Sequence, residues 1–215
     1  SISLYLSFYM IGFIINGYLS VCQQTYIKKV MYLRRDALEN RQRIENKAIE
    51  LFNQLGVQQV SMNRIAKELN IGMGTLYRHF KDKSALCTTI IEHDFTDIIN
   101  QMYEVKEKHH DSKAVMAKSL DIFLNFKTIN NDLLHCIEDT TDKNDFYHSD
   151  IYLQLFKFYS EILGNNKSTT WTTFKVDMLL KSLSTKSFEL QKDERGLSNE
   201  TIRDYIIKLY FDKEE

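Results

Sequence analysis

A chain of 215 residues, 43% hydrophobic and 27% charged, has ordinary soluble proportions and enough apolar surface for a sizeable core, in one large domain or two small ones. It contains no proline and only seven glycines, which fits a mostly helical protein, and its formal net charge of -1 says nothing by itself about nucleic acid. The three cysteines, Cys22, Cys87 and Cys136, are odd in number and widely spaced with no CxxC pair, which excludes a disulfide framework and a zinc pattern and makes a reducing cytosol the expected location.

Residues 4–21 read LYLSFYMIGFIINGYLSV, an uncharged run that approaches the length of a membrane span. No basic residue precedes it, as a signal peptide requires, and Tyr, Ser, Asn and Gly dilute it. Met31 stands just before Arg34-Arg35 and the first amphipathic helix. The preferred reading is therefore that residues 1–33 are a hydrophobic extension ahead of the true start, with no regulatory role. A membrane anchor and a packed extra helix are the alternatives.

From Asp36 to Leu55, the positions Leu38, Ile44, Ala48, Leu51, Phe52 and Leu55 mostly follow helical spacing, and Gly56 is the stop. Ser61 is the N-cap of a second helix that ends near Leu69, with Asn70 suited to a left-handed turn. A short helix follows over Gly74–Phe80, and Asp82 caps the next, Ser84–Val105. Further amphipathic helices are predicted over Ala114–Phe126, Ile151–Leu163, Thr172–Leu183 and Ser198–Phe211, with a shorter one at Asn131–Asp139. The fold class is all-α, and no internal repeat is present.

The stretch VSMNRIAKELNIGMGTLYRHFKDKSAL, Val60 to Leu86, carries the chemistry. Two short helices joined by a tight turn at Asn70-Ile71 can share a core of Ile65, Ala66, Leu69, Leu76 and Phe80, with Leu51 and Leu55 behind. A helix held this way fits the major groove. Its free face would show Met73, Thr75, Arg78 and His79. Gly74 leaves backbone bare near the start, where N–H groups and the helix dipole suit a phosphate. Thr75, Tyr77 and His79 offer short polar groups, and Lys83 adds a charge at the same level. The charge distribution agrees: residues 34–86 hold ten Lys/Arg against six Asp/Glu, whereas residues 87–215 hold sixteen against twenty-three.

The run Gly74-Thr75-Leu76-Tyr77-Arg78-His79-Phe80, with Lys83 and Ala85-Leu86, resembles the TetR family of bacterial repressors, as do the upstream segments Arg41–Gly56 and Ser61–Leu69. The resemblance implies a homeodomain-like three-helix DNA-binding domain over residues 34–83 and a helical effector-sensing and dimerisation domain over 84–215. It implies a homodimer on a double-stranded, inverted-repeat operator and a small-molecule effector that releases the DNA. It assigns Ser61 to phosphate and Asn63 and Met73 to base contacts. Met73 offers only apolar contact and Gly74 no side chain, which leaves Asn63 and Arg78 for polar readout. It also implies that two helices at about 171–188 and 198–212 pair with their copies, with Phe174, Met178, Leu183, Ile202, Ile206 and Leu209 as interface candidates.

In the later domain Phe123, Phe126, Tyr152, Phe156, Tyr159, Trp171 and Phe174 are candidates to line an apolar pocket as a set, although core packing is the plainer reading for any one of them. His109-His110-Asp111 and His135-Cys136 lack the spacing of a helical metal pair, so no metal and no cofactor are expected. No nucleophile elbow, phosphate loop or Cys/His constellation is present, so no enzymatic activity is expected. The alternatives kept open are an effector-independent DNA-binding protein of the same fold and a membrane-associated adaptor anchored by residues 1–30.

Overall fold

The computed structural model describes residues 2–140, 149–164 and 169–212, with side chains left out at 2–25, 30, 33–34, 93 and 139–140. Among the described residues all regular structure is helical. The chain forms two compact units, Ser1–Lys47 and Ala48–Glu215.

The first unit lies within α1 (Ile2–Leu55), which extends much further upstream than the predicted start at Asp36. The described part of this unit is mostly exposed, apart from buried Ile44, and carries neighbouring-turn pairs, Arg41 to Glu45 at 3.1 Å and Gln42 to Asn46 at 3.1 Å. The anchor and start-site readings of residues 1–30 fall on side chains that, apart from exposed 26–29, lie outside the described residues. Among the described residues no helix is long and apolar enough to cross a membrane.

The second unit begins with the last two turns of α1. Gly56 ends that helix at φ 82°, a left-handed value that glycine adopts without a side-chain penalty. A single 3-10 turn, Val57–Gln59, leads into α2 (Met62–Glu68) and α3 (Met73–His79). The long α4 (Lys83–Lys108) joins this head to a helical body. The body comprises α5 (Ser112–Ile129), α6 (Asn131–Thr140), α7 (Asp150–Leu163), α8 (Thr170–Ser182), a one-turn α9 (Thr185–Glu189) that runs into a π-turn at Leu190–Glu194, and α10 (Asn199–Phe211). Side-chain oxygens of Asp111, Ser149, Thr169 and Ser198 cap α5, α7, α8 and α10 by accepting from backbone N–H groups of the first turn.

The core of the body is built on α5, which packs against α4, α6, α7 and α10. Met116, Leu120 and Leu124 of α5 meet Met102 of α4 and Phe158 and Tyr159 of α7, all fully buried. Each such side chain contributes about 1.5–3 kcal/mol of burial free energy. The helix expected at 171–188 is broken instead at Ser184, because the Thr185 N–H and hydroxyl turn to the Glu138 carboxylate of α6, the N–H at 2.9 Å.

Lys127 is the buried cation of this core. Its Nζ donates to the Thr185 hydroxyl at 3.1 Å and lies near the faces of Phe123 and Phe188. Burial pushes its ammonium down to about 8, against the opposing pull of Glu138 and Glu189. Below pH 8 both folded and unfolded chains carry this proton, so the cost of burying the charge is fully present. Between pH 8 and 10.5 the folded chain sheds the proton while the unfolded chain keeps it, and stability rises. In urea unfolding the protein should therefore gain stability relative to Lys127→Met on going from about pH 7.5 to about pH 9.5. A difference independent of pH would contradict this account of Lys127.

Candidate nucleic-acid interface

Three local devices shape the head. Ser61 Oγ accepts from the Arg64 N–H at 3.2 Å and starts α2. Asn70, at φ 54°, ends it, with Asn70 N–H donating to Lys67 O and Ile71 N–H to Ala66 O at 3.0 Å, the bond pattern of a Schellman stop. Asp82 Oδ1 accepts from the Ala85 N–H at 2.7 Å and starts α4. The turn between α2 and α3 is thereby fixed by backbone geometry, and α3 lies across α2 in a helix-turn-helix.

The core beneath α3 contains Ile65, Ala66, Leu76 and Phe80, as predicted, with Leu51 behind. Leu55 does not join it: its side chain is exposed, and Leu69 is only half-buried. Val57, Val60 and Met62 fill that space, because the 3-10 turn after Gly56 folds back over the end of α1. With Leu76 facing inward, α3 shows Gly74, Tyr77 and Arg78 to solvent, and Met73, Thr75 and His79 at the rim. Ser61 and Asn63 of α2 are exposed on the same head.

Arg78 is held over its own helix. Its Nε donates to Gly74 O at 3.1 Å and a terminal nitrogen donates to Thr75 Oγ1 at 3.1 Å. The guanidinium is thus oriented along α3, and its remaining donors suit a base edge or a phosphate. Lys83 departs from expectation. Its ammonium donates to the Val57 carbonyl and stands over the Phe52 ring at 6.0 Å, so it ties α4 to the turn before α2 instead of standing free beside α3. Exposed cations that the motif reading did not include are Arg64 and Lys67 on α2 and Lys81 after α3.

Nothing lies within 4 Å of a Cβ built on Gly74, so the fold itself leaves room for a side chain there. Gly74→Ala should leave the head folded, or stabilise it by up to about 1 kcal/mol through helix propensity, while weakening DNA binding. Thermal melts and binding isotherms on one preparation separate the two effects. Unchanged DNA affinity would show that the bare backbone at Gly74 is not approached.

In the body, a cavity of about 40 Å³ lies between α5, α6, α7 and α8. Of the predicted lining residues, Phe123, Phe126 and Tyr152 reach it, together with Lys127 and Glu138, which the sequence reading left out. Phe156 stacks on Tyr152 at 6.0 Å, and Tyr159 is fully buried against Phe158, where burial pushes its phenol up. Trp171 and Phe174 do not line this cavity. They stack on each other at 5.7 Å on the surface of α8, Trp171 being 64% exposed.

The predicted interface set divides in the same way. Leu183, Ile202 and Ile206 are buried within the chain, the last two on the face that α10 turns to α5. Phe174, Met178 and Leu209 are exposed, and Trp171 and Tyr205 extend the same two stripes. The Tyr210 hydroxyl donates to Lys175 O at 3.0 Å, a link between α8 and α10.

The family model for bacterial regulatory proteins of the tetR family matches residues 44–89, the segment that holds these devices. An HTH-type transcriptional regulator of Staphylococcus aureus (strain bovine RF122 / ET3-1) is 50% identical over 183 residues, 85% of this chain and 98% of the relative. The chain belongs to the TetR family. A second HTH-type transcriptional regulator, of Staphylococcus aureus (strain MSSA476), is 49% identical over 183 residues, again 85% of this chain and 98% of the relative. Two solved folds, the first of a TetR family repressor, agree with the architecture. FadR of Thermus thermophilus, a repressor solved in complex with lauroyl-CoA, aligns with a TM-score of 0.66 at 16% identity over 81% of this chain and 96% of its own. FadR of Bacillus subtilis, solved with stearoyl-CoA, aligns with a TM-score of 0.59 at 14% identity over 81% and 99%. The protein is accordingly a transcriptional regulator with a DNA-binding helix-turn-helix and a helical second domain, as its relatives are named transcriptional regulators.

Proposed function

We propose that this TetR family regulator is a homodimeric repressor, acting in the cytoplasm, that holds an inverted-repeat operator and lets it go on a chemical signal sensed by the body. The observation that carries the DNA half is the outward face of α3, with Gly74, Tyr77 and the pre-oriented Arg78 beside exposed Asn63 and Ser61. On this reading Asn63 and Arg78 read bases, Met73 touches a thymine methyl, and Ser61, Thr75, Tyr77, His79 and the Gly74 backbone meet phosphates. Lys83 joins them by exchanging the Val57 carbonyl for a phosphate oxygen. The head would span residues 34–83 and the sensing and dimerising part 84–215. Two exposed apolar stripes, Trp171-Phe174-Met178 on α8 and Tyr205-Leu209 on α10, support self-association.

Selection from a random-sequence DNA pool, with sedimentation of the free protein, tests this reading. A dimer that enriches a palindrome is expected. A monomer, or a pool with no enriched sequence, overturns it.

The two FadR proteins named above suggest an acyl-CoA as the signal. The small size of this cavity, about 40 Å³ against roughly 300–1,000 Å³ for pockets that take drug-sized ligands, supports a second reading, independence of any bound effector. Lauroyl-CoA that raises the melting temperature and weakens DNA binding supports the first. No change in either supports the second. The adaptor reading rests on residues 1–30, whose side chains, apart from exposed 26–29, lie outside the described residues.

A further inference from the structure

Two of the three cysteines, 49 residues apart in sequence, meet sulfur to sulfur. Cys87 Sγ, in the second turn of α4, lies 3.3 Å from Cys136 Sγ on α6, and both thiols are reduced and buried. The position matters more than the pairing. α4 leaves the helix-turn-helix directly, tied to it by Lys83 on the Val57 carbonyl. α6 packs against both α4 and the 3-10 turn Val57–Gln59, and Ser84 Oγ donates to Ile137 O at 3.5 Å across the same seam. The seam α4–α6 therefore joins the DNA-reading head to the body. The cavity behind α6 has room for little more than water, so a signal that acts at this seam by covalent chemistry needs no pocket.

We propose that Cys87 and Cys136 form a regulatory disulfide, made by hydroperoxides or other two-electron thiol oxidants, that shifts α6 against α4 and releases DNA. In the first step one thiol attacks the peroxide O–O bond, becoming a sulfenic acid while the peroxide leaves as alcohol or water. In the second, the other thiol attacks that sulfur and water departs with its proton. The two sulfurs lose two electrons in total, and the peroxide takes them.

A disulfide bond is about 2.05 Å long, so the sulfurs must close by roughly 1.3 Å from 3.3 Å. Close-packed helices transmit such a shift to their neighbours instead of absorbing it. The resting pair reacts slowly. The hydrogen bond shared with Cys136 and burial both raise the Cys87 thiol far above its ordinary value, and Lys83 opposes them only weakly. Low oxidant thus leaves the thiols intact, and reaction follows when the seam opens. Zinc is a poor alternative occupant, since among the described residues no three His, Cys, Asp or Glu groups are placed to hold a metal.

The inference rests on the protein being a DNA-binding regulator, and the test separates the two. The full chain, first used reduced to select a DNA fragment from a random pool, is treated with hydrogen peroxide or diamide. It is then read by intact mass, by peptide mapping and by fluorescence anisotropy on that fragment. Expected are a mass lower by about 2 Da, a Cys87–Cys136 cross-link within one chain, and DNA affinity lower by roughly tenfold or more, restored by dithiothreitol. C87A and C136A, each checked by its melting curve, should keep their DNA affinity in oxidant, and either suffices if the other does not fold. A cross-link that joins Cys22 or two chains, no cross-link at all, or a cross-linked chain that binds DNA as the reduced one does, overturns the proposal. A reduced chain that selects no DNA removes the regulator reading instead, while the mass map still decides whether the thiols pair.

Discussion

Replacing Phe174 and Leu209 together by glutamate is expected to leave a folded monomer whose operator affinity is lower by roughly a hundredfold to ten-thousandfold. Both side chains are exposed in the single chain, Leu209 at 80%, so the substitutions alter little of its own packing. Exposed changes of this kind shift stability by about 0.5 kcal/mol or less. In a dimer each carboxylate would be buried against an apolar partner with no counter-charge, which strongly disfavours association. A monomer reads one half-site only and loses the gain from binding two at once. Sedimentation and anisotropy on one preparation check both effects. Leu153→Glu, at another exposed apolar position, on α7, is the control and should behave as the unaltered protein. A double variant that remains dimeric would show that the stripe on α8 and α10 is not the interface.

Phe80→Ala should cost about 3–5 kcal/mol and abolish DNA binding while the body stays folded. Phe80 is buried at the end of α3, its N–H donating to Leu76 O at 3.0 Å, and its ring closes the small core of the head. That core holds few side chains, so one cavity of this size removes most of its cohesion. Hydrogen exchange followed by mass spectrometry should show loss of protection over 62–80 and retained protection in α5 and α10. Equal loss everywhere would mean that head and body unfold as one unit.

The head was legible in the sequence because its determinants are local. Ser61 and Asp82 announce helix starts within three residues of the amides they cap, and Gly56 and Asn70 mark two stops that need a left-handed residue. The body was less so. α8 is apolar on more than one side, with Val176, Leu179 and Leu180 inward and Phe174 and Met178 outward, so spacing alone does not say which face meets the core. On α10, Ile202 and Ile206 lie on the inner face while Tyr205 and Leu209 look outward. The break at Ser184 carries no glycine or proline. It depends on a carboxylate from Glu138, 47 residues earlier. Lys83 is expected beside α3 from its place at the start of α4, but its ammonium donates to the Val57 carbonyl. The Cys87–Cys136 pair is tertiary in the same sense: no spacing rule links two thiols 49 residues apart.

The claim on which the rest depends is that α3 faces the duplex. Tyr77, exposed on α3, can be replaced by photo-reactive benzoylphenylalanine, with Ile129, exposed at the end of α5, replaced in a parallel sample. Irradiation with the selected DNA fragment should cross-link the chain to DNA from position 77 and not from position 129. Cross-linking from 129 without 77, or from neither while binding persists, would place the DNA elsewhere on the protein and contradict the account.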